Sequence, residues 1–317
     1  MLLAGACIFT ACKKEGVYNP KEKIAAIYSS SEISYTSDGR TFNYSQPKHL
    51  DEKWNWDGKT LTSIEFYGYT YDGLSSTESS ELDYILDFTY DGKRLSKINL
   101  RGDISCYVEF IYDGKLLTTV NTYTDNELEE CITITHDGKK ISKITITGKN
   151  GYHPYADQKK FNLMNKLVLR SVLNDIDAAE KVQQMAKRSA EKGSKENNTG
   201  TYLLTWDGDN ISKLEKDDAN GYITFTYDNK KNPLYGFSSL LVLDSQAPTF
   251  NYDFCNSNNV TSMTLTIPAG NDTYSETENY TYTYDGKWPI TRTIANSYSQ
   301  DNNSYSLSNT TYFEYDD

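Results

Sequence analysis

Leu86-Asp87-Phe88-Thr89-Tyr90-Asp91-Gly92-Lys93-Arg94-Leu95-Ser96-Lys97-Ile98-Asn99-Leu100 decides how this chain folds. Leu86, Phe88 and Tyr90 alternate with polar residues, so they share one face of a strand. Asp91-Gly92 is a strong hairpin signal, because Gly supplies a positive φ and Asp tolerates a turn. Ile98 and Leu100 then alternate on a returning strand. Leu95 lies three positions before Ile98, an odd spacing that predicts a bulge or a residue tucked beneath the turn.

The same signature recurs. An aromatic residue or His, then Asp, then Gly or Asn begins at Trp56, Tyr71, Tyr90, Tyr112, His136, Trp206, Tyr227 and Tyr284, and Tyr315-Asp316-Asp317 is a further fragment. Val108, Phe110 and Tyr112 precede one copy, Tyr202, Leu204 and Trp206 another, and Tyr280, Tyr282 and Tyr284 a third. A further unit is expected from Phe254 to Ile267, with Asn258-Asn259 as its turn. Thr89, Thr133, Thr135, Thr205, Thr224, Thr226, Thr281 and Thr283 fall on the opposite face. One apolar and one wettable face is the antiparallel arrangement. A lone hairpin is marginal in water, so each unit leans on its neighbours. The expected fold is all-β: a long antiparallel meander of hairpins, curled into an open sheet or barrel.

The Tyr-Asp-Gly units resemble YD-repeat sequences, and more closely the uncharacterised repeat lipoproteins common in Bacteroidetes. The resemblance covers most of residues 50–317 and fades between 30 and 50 and after 290. It is specific for architecture and silent on activity. Long YD-repeat proteins build shells around a cargo. This chain is shorter and its turn is the tighter Asp-Gly-Lys form.

Residues 1–12 are apolar and small, ending Phe9-Thr10-Ala11-Cys12 before Lys13 and Lys14. The run is too short to span a bilayer, which takes about 20 residues. It resembles a lipoprotein signal, which implies that Cys12 carries a lipid and that the chain sits at the bacterial envelope, at the outer membrane. Ala4-Gly5-Ala6-Cys7 is the weaker candidate, since almost no apolar core precedes it. No Lys or Arg lies ahead of the run, although such signals begin with positive charge. Residues 13–23 are polar and turn-prone and read as a tether. Residues 24–317 then form one domain. Its repeat breaks at 151–199, where Asn174 and Asp175 cap a helix carrying Ile176, Ala179, Val182 and Ala186, expected to cover an open end of the sheet.

Several function classes lose support. The chain has 32 basic against 44 acidic residues, a net charge of −12, which opposes nucleic-acid binding. The membrane is expected as a partner through the lipid anchor only. The three His (His49, His136, His153) form no metal-ligand spacing, and no cofactor motif appears. Rows of Asp turns suit Ca²⁺ by chemistry, but the EF-hand and nonapeptide spacings are missing. Cys106 shares the face of Val108 and Phe110, whereas Cys131 falls opposite Ile132 and Ile134, so no disulfide between them is expected. No catalytic motif is present. The expected role is therefore a non-catalytic binding or scaffold module for a glycan, peptide or protein. The alternatives are a two-carboxylate glycan hydrolase and a purely structural spacer. Trp54, Trp56, Tyr69 and Trp288 are the candidates for an exposed aromatic platform, weighed against a core role for the same rings.

Overall fold

The hairpin of the opening stretch is built from β4 (Thr77–Asp91) and β5 (Arg94–Arg101). Asp91 pairs with Arg94, so the loop itself is Gly92-Lys93. Gly92 has φ +63°, and Lys93 is not among the positive-φ residues. A single positive φ at the first loop position marks a type II′ turn, which needs Gly there. The Asp therefore flanks the loop instead of occupying it.

The spacing of Leu95 and Ile98 is a bulge. Thr89 pairs with Lys97 and Tyr90 with Leu95, leaving Ser96 without a partner across the strand. The extra residue turns both Leu95 and Ile98 to the buried face. Ser96 Oγ donates to the Thr89 carbonyl at 3.0 Å. Thr62, Thr118, Ser142 and Ser212 make the same bond to the Asn55, Ile111, Thr135 and Thr205 carbonyls. A hydroxyl residue in the second place of Leu-x-x-Ile thus secures the bulge.

The structure, a computed structural model, describes residues 16–37, 40–72, 77–101, 106–148, 198–217, 221–236, 255–269, 272–300 and 303–316. Before the hairpin come β1 (Ile24–Ser37), β2 (Arg40–Asp57) and β3 (Thr60–Asp72). After it come β6 (Cys106–Asp113), β7 (Leu116–Thr124), β8 (Glu127–Asp137), β9 (Lys140–Gly148), β10 (Asn198–Asp207), β11 (Asn210–Lys216) and β12 (Tyr222–Tyr227). The last four are β13 (Val260–Ala269), β14 (Asp272–Asp285), β15 (Trp288–Gln300) and β16 (Asn303–Tyr315). Each strand pairs antiparallel with its sequence neighbours, and β1 pairs with β16 from Ile24↔Tyr315 to Thr36↔Ser304. The meander closes into a 16-strand barrel, which removes both open edges.

The signature copies gather at one end. Trp56, Tyr90, Tyr112, His136, Trp206 and Tyr284 each end a strand just before a tight turn there. At the barrel seam, Tyr315-Asp316 meets Lys23-Ile24, with Asp316 N–H bonded to the Lys23 carbonyl at 2.8 Å. The rings of Trp56, Tyr90, Tyr112, Trp206 and Tyr315 lie on the core and send their polar tips to the neighbouring hairpin. Tyr90 Oη donates to the Leu61 carbonyl at 2.7 Å, Tyr112 Oη to Leu95 at 2.8 Å and Tyr315 Oη to Pro289 at 2.7 Å. Trp56 Nε1 donates to Ile24 at 2.8 Å and Trp206 Nε1 to Ile141 at 2.6 Å. The aromatic position is thus both core filler and clasp between units.

Two expected copies behave differently. Tyr71-Asp72 lies at the opposite end, where Asp72 pairs with Thr77. Tyr227-Asp228-Asn229 closes no hairpin: Tyr227 pairs with Val260, and 228–259 is an excursion between the two strands. The unit expected from Phe254 to Ile267 is corrected accordingly. Its second half is β13, but its partner is β12, and Asn258-Asn259 belongs to the excursion. Asp228 explains the difference. Its carboxylate binds the Asn259 amide, the Asn259 side chain and Tyr284 Oη, so it anchors the excursion in place of a tight turn. The expected helix within 151–199 lies outside the described residues, apart from Asn198 and Thr199, which open β10.

One face of every strand contributes to a single apolar cluster, which includes Trp54, Leu61, Phe88, Ile98, Phe110, Ile144, Leu204 and Phe313. In a closed barrel only the inner face brings such distant strands together, so the interior at the turn end is packed core. Tyr18 belongs to it, 7% exposed, with its hydroxyl on the Pro233 carbonyl at 2.8 Å. From Gly16 onward the stretch read as a tether is therefore folded onto the barrel end. It closes that end together with Asn232, Leu234, Cys255 and Asn256. Cys106 and Cys131 are free thiols. The outer face carries hydroxyls and charges. Thr283 meets Thr291 at 2.6 Å, Thr264 meets Thr277 at 2.9 Å, and Arg101 pairs with Asp87 at 2.5 Å.

Candidate functional site

The end opposite the turns is uneven. β2 has 18 residues and β14 has 14, whereas β5 and β6 have 8 each and β12 has 6. The wall formed by β14–β16 and β1–β4, each strand 13 residues or longer, therefore stands above the wall formed by β5–β13, none longer than 11. The tall wall holds a shallow groove of about 430 Å³. Register builds it. Ser34 stands beside Asn43 and Ser306, and Ser306 beside Ser297, in one cross-strand row. Glu32 stands beside Ser45 and Ser308, and Ser308 beside Ala295, in the next. Glu32 is the one charged side chain in the lining. Hydroxyls, an amide and small residues offer donors and acceptors to a neutral polar ligand. On the alternate positions Phe42 pairs with Tyr35 and Tyr44 with Ile33, and Phe42 is 62% exposed.

Below the groove sits a polar cluster around His49. Its Nε2 lies 3.2 Å from Ser29 Oγ, 3.3 Å from Gln46 Nε2 and 3.2 Å from Asp51 Oδ1. Its Nδ1 donates to the Pro47 carbonyl at 2.9 Å, and its ring lies 4.3 Å from that of Tyr69. Ser, His and Asp are together, but Asp51 and Ser29 both meet Nε2. A nucleophilic triad needs the acid on the other nitrogen, so this group orders the wall instead of activating Ser29.

Glu52 follows on the same strand, opposite Ile27 and Phe66, and accepts from Trp54 Nε1 at 2.8 Å. Burial pushes its carboxyl up to about 7; the Trp54 bond opposes this, Asp51 adds to it, and Arg292 opposes it. Burial also raises Glu130, on β8. The two acids lie six strands apart around the sheet.

Glu52 sets a pH dependence. Its folded pKa lies above the unfolded value of 4.5. The native state therefore holds more protons than the unfolded state between the two, and stability falls as pH rises from about 4.5 to about 7. Glu52→Gln keeps an acceptor for Trp54 and should flatten that slope, leaving the variant more stable than the parent at pH 8. Urea midpoints at pH 5 and pH 8 read this. An unchanged slope would show that Glu52 does not titrate there.

The four platform candidates do not come together. Trp54 is buried in the core, 6.4 Å from Trp56 and 6.3 Å from Tyr18. Trp56 is half-buried and tied to Ile24. Tyr69 faces His49, and Trp288 lies 6.4 Å from Tyr315. Among the described residues the exposed rings are Phe42 and Tyr44, which lie where the repeat pattern fades. Their clue was the alternation Phe42, Tyr44, Gln46. Cys12 lies outside the described residues.

No family model matches the chain, and no curated protein does. Among solved structures, a porin-like protein from Bacteroides uniformis superposes with a TM-score of 0.52 at 10% identity, covering 96% of this chain and 100% of that one. The barrel is what they share. A porin-like protein from Bacteroides vulgatus aligns at 8% identity over 93% of this chain and 99% of that one, with a TM-score of 0.35. At 10% identity the likeness to the Bacteroides uniformis protein is one of fold alone.

Proposed function

We propose that the chain is a lipid-anchored envelope protein whose barrel works outside the bilayer as a non-catalytic binding or scaffold module. Its ligand, a neutral glycan or a peptide, is taken on the tall wall. One observation carries this: the apolar face of the barrel points inward and fills the turn end, while Thr, Ser and charged residues cover the outside. A membrane-spanning barrel has the reverse pattern, with an outward apolar band about 25 Å tall and a polar interior. The exposed large apolar residues, Phe42, Leu82, Ile111, Leu128, Leu203 and Ile290 among them, are scattered over six strands and make no band. The exposed Phe42 and Tyr44 favour a binding role over a passive spacer.

The membrane link then rests on Cys12. Cys12→Ala should move the protein from the membrane fraction to the soluble fraction without detergent, and the wild type should give no conductance in planar bilayers. Retention of the variant in membranes, or steady channel currents, would refute the assignment. A glycan array followed by pull-down from envelope extracts identifies the ligand. Ser306→Trp, which fills the groove, should abolish its capture.

A further inference from the structure

The chain joins the fold at the turn end. The Gly16 carbonyl accepts from the Leu95 amide at 2.8 Å, and Tyr18 is packed in the core two residues later. Cys12 and Gly16 are four residues apart, and four fully extended residues reach roughly 14 Å. A lipid on Cys12 therefore holds the turn end almost against the membrane and points the tall wall away from it. This orientation rests on the anchor proposed above.

That end has its own chemistry. Lys59, Lys93, Lys115, Lys139 and Lys287 each follow a positive-φ glycine at the outer position of a tight turn, and all five are exposed. The turn aspartates lie one step back, in the strand ladder: Asp57 pairs with Thr60, Asp91 with Arg94 and Asp113 with Leu116. Behind the tips, a second set of cations ties turn to turn. Arg94 donates to the Gly114 carbonyl at 3.0 Å and Lys230 to Gly286 at 3.2 Å, with Lys140 on Gly208 in the same manner. These three lie over the rings of Tyr112, Tyr284 and Trp206. These bonds tie the turns at Gly114, Gly208 and Gly286 each to a neighbouring segment. The sixth such turn, after Gly208, carries Asp209 at that place, and the turn aspartates are exposed beside the lysines.

We propose that the five turn-tip lysines form a membrane-docking face that rests on the phosphate groups of the lipid headgroups. A basic patch adds electrostatic attraction to anionic lipid beside a lipid anchor. Lysines near an anionic surface add to binding and lose their effect beyond a Debye length. The short reach from Cys12 keeps these within that range.

The test uses the full chain carrying Cys12→Ser, so that no lipid contributes. It is sedimented with phosphatidylcholine vesicles, with or without phosphatidylglycerol. Adsorption should require phosphatidylglycerol and decline steeply with salt. Changing all five tip lysines to Glu should weaken it at least tenfold, while changing Lys53, Lys97 and Lys143 on the barrel side to Glu should leave it intact. If the five-site variant does not fold, Lys93→Glu with Lys115→Glu should show an intermediate loss. Equal adsorption of tip and side variants, or no adsorption by the parent, overturns the proposal. Suppression by inorganic phosphate beyond its ionic strength would also overturn it, by assigning the ring to free phosphate. Release of Cys12→Ala from cell membranes is read separately, so failure here leaves the anchor standing.

Discussion

Ile98→Ala should cost about 2–5 kcal/mol, the range for truncating a packed aliphatic side chain to Ala. Ile98 is 1% exposed. It stands between Phe88 on one neighbouring strand and Val108 on the other, both buried. Removing its branch leaves a void that a closed sheet cannot collapse to fill, since each strand is held on both sides. Its neighbour Lys97 points the other way, over the Tyr107 ring at 3.5 Å. Lys97→Ala should cost no more than about 1 kcal/mol, the scale of an exposed cation–π contact. Urea unfolding of the two variants in detergent-free buffer gives the comparison. Because whole domains are stable by only about 5–15 kcal/mol, the Ile98 loss should be unmistakable in the midpoint. Equal losses at 97 and 98 would mean that the faces are not distinguished by water, and the inward orientation of the core would fall.

The hairpins were legible because their causes are local. Alternation at Leu86, Phe88 and Tyr90 fixes a face, Gly92 permits the turn, and the odd Leu95-to-Ile98 step marks a bulge, all within one short segment. What escaped was non-local. The seam joins β1 to β16, and nothing in Ile24–Ser37 or Asn303–Tyr315 announces its partner. These strands, with β2 and β15, lie where the repeat fades: the Ser and Asn rows of the groove are on their outer face, while Ile33, Tyr35, Tyr305 and Leu307 continue the inner one. Tyr227-Asp228-Asn229 looked like one more turn, yet Asp228 serves residues that follow much later, at Asn259 and Tyr284. Trp54 and Trp288 were weighed between an exposed platform and the core; Trp54 lies in the core, and Trp288 packs beside Tyr315. The His49 and Glu52 cluster was invisible, since the shift between Ile27 and Tyr28 that sets Asp51 and Glu52 in place appears only in the pairing.

Asn256→Ala should cost about 1–3 kcal/mol, with a further loss from the small cavity left behind. Asn256 is fully buried in the cap over the turn end, and its Oδ1 accepts from the Ile211 amide at 2.7 Å. Alanine leaves that amide without its acceptor in a site closed to water. Asn256→Asp discriminates further. An ionised carboxylate at 0% exposure pays heavily for desolvation, so this variant should be worse than alanine at pH 8. Once protonated it is neutral and again offers a carbonyl to Ile211, so its deficit should shrink as pH falls toward 4. Thermal unfolding of both variants across that pH range checks the pattern. Losses below about 0.5 kcal/mol, within the usual range for surface changes, would show that the cap is not part of the cooperative core. The turn end would then be a loose cover over an accessible lumen, and the argument against a continuous pore would have to stand on the polar outer face alone.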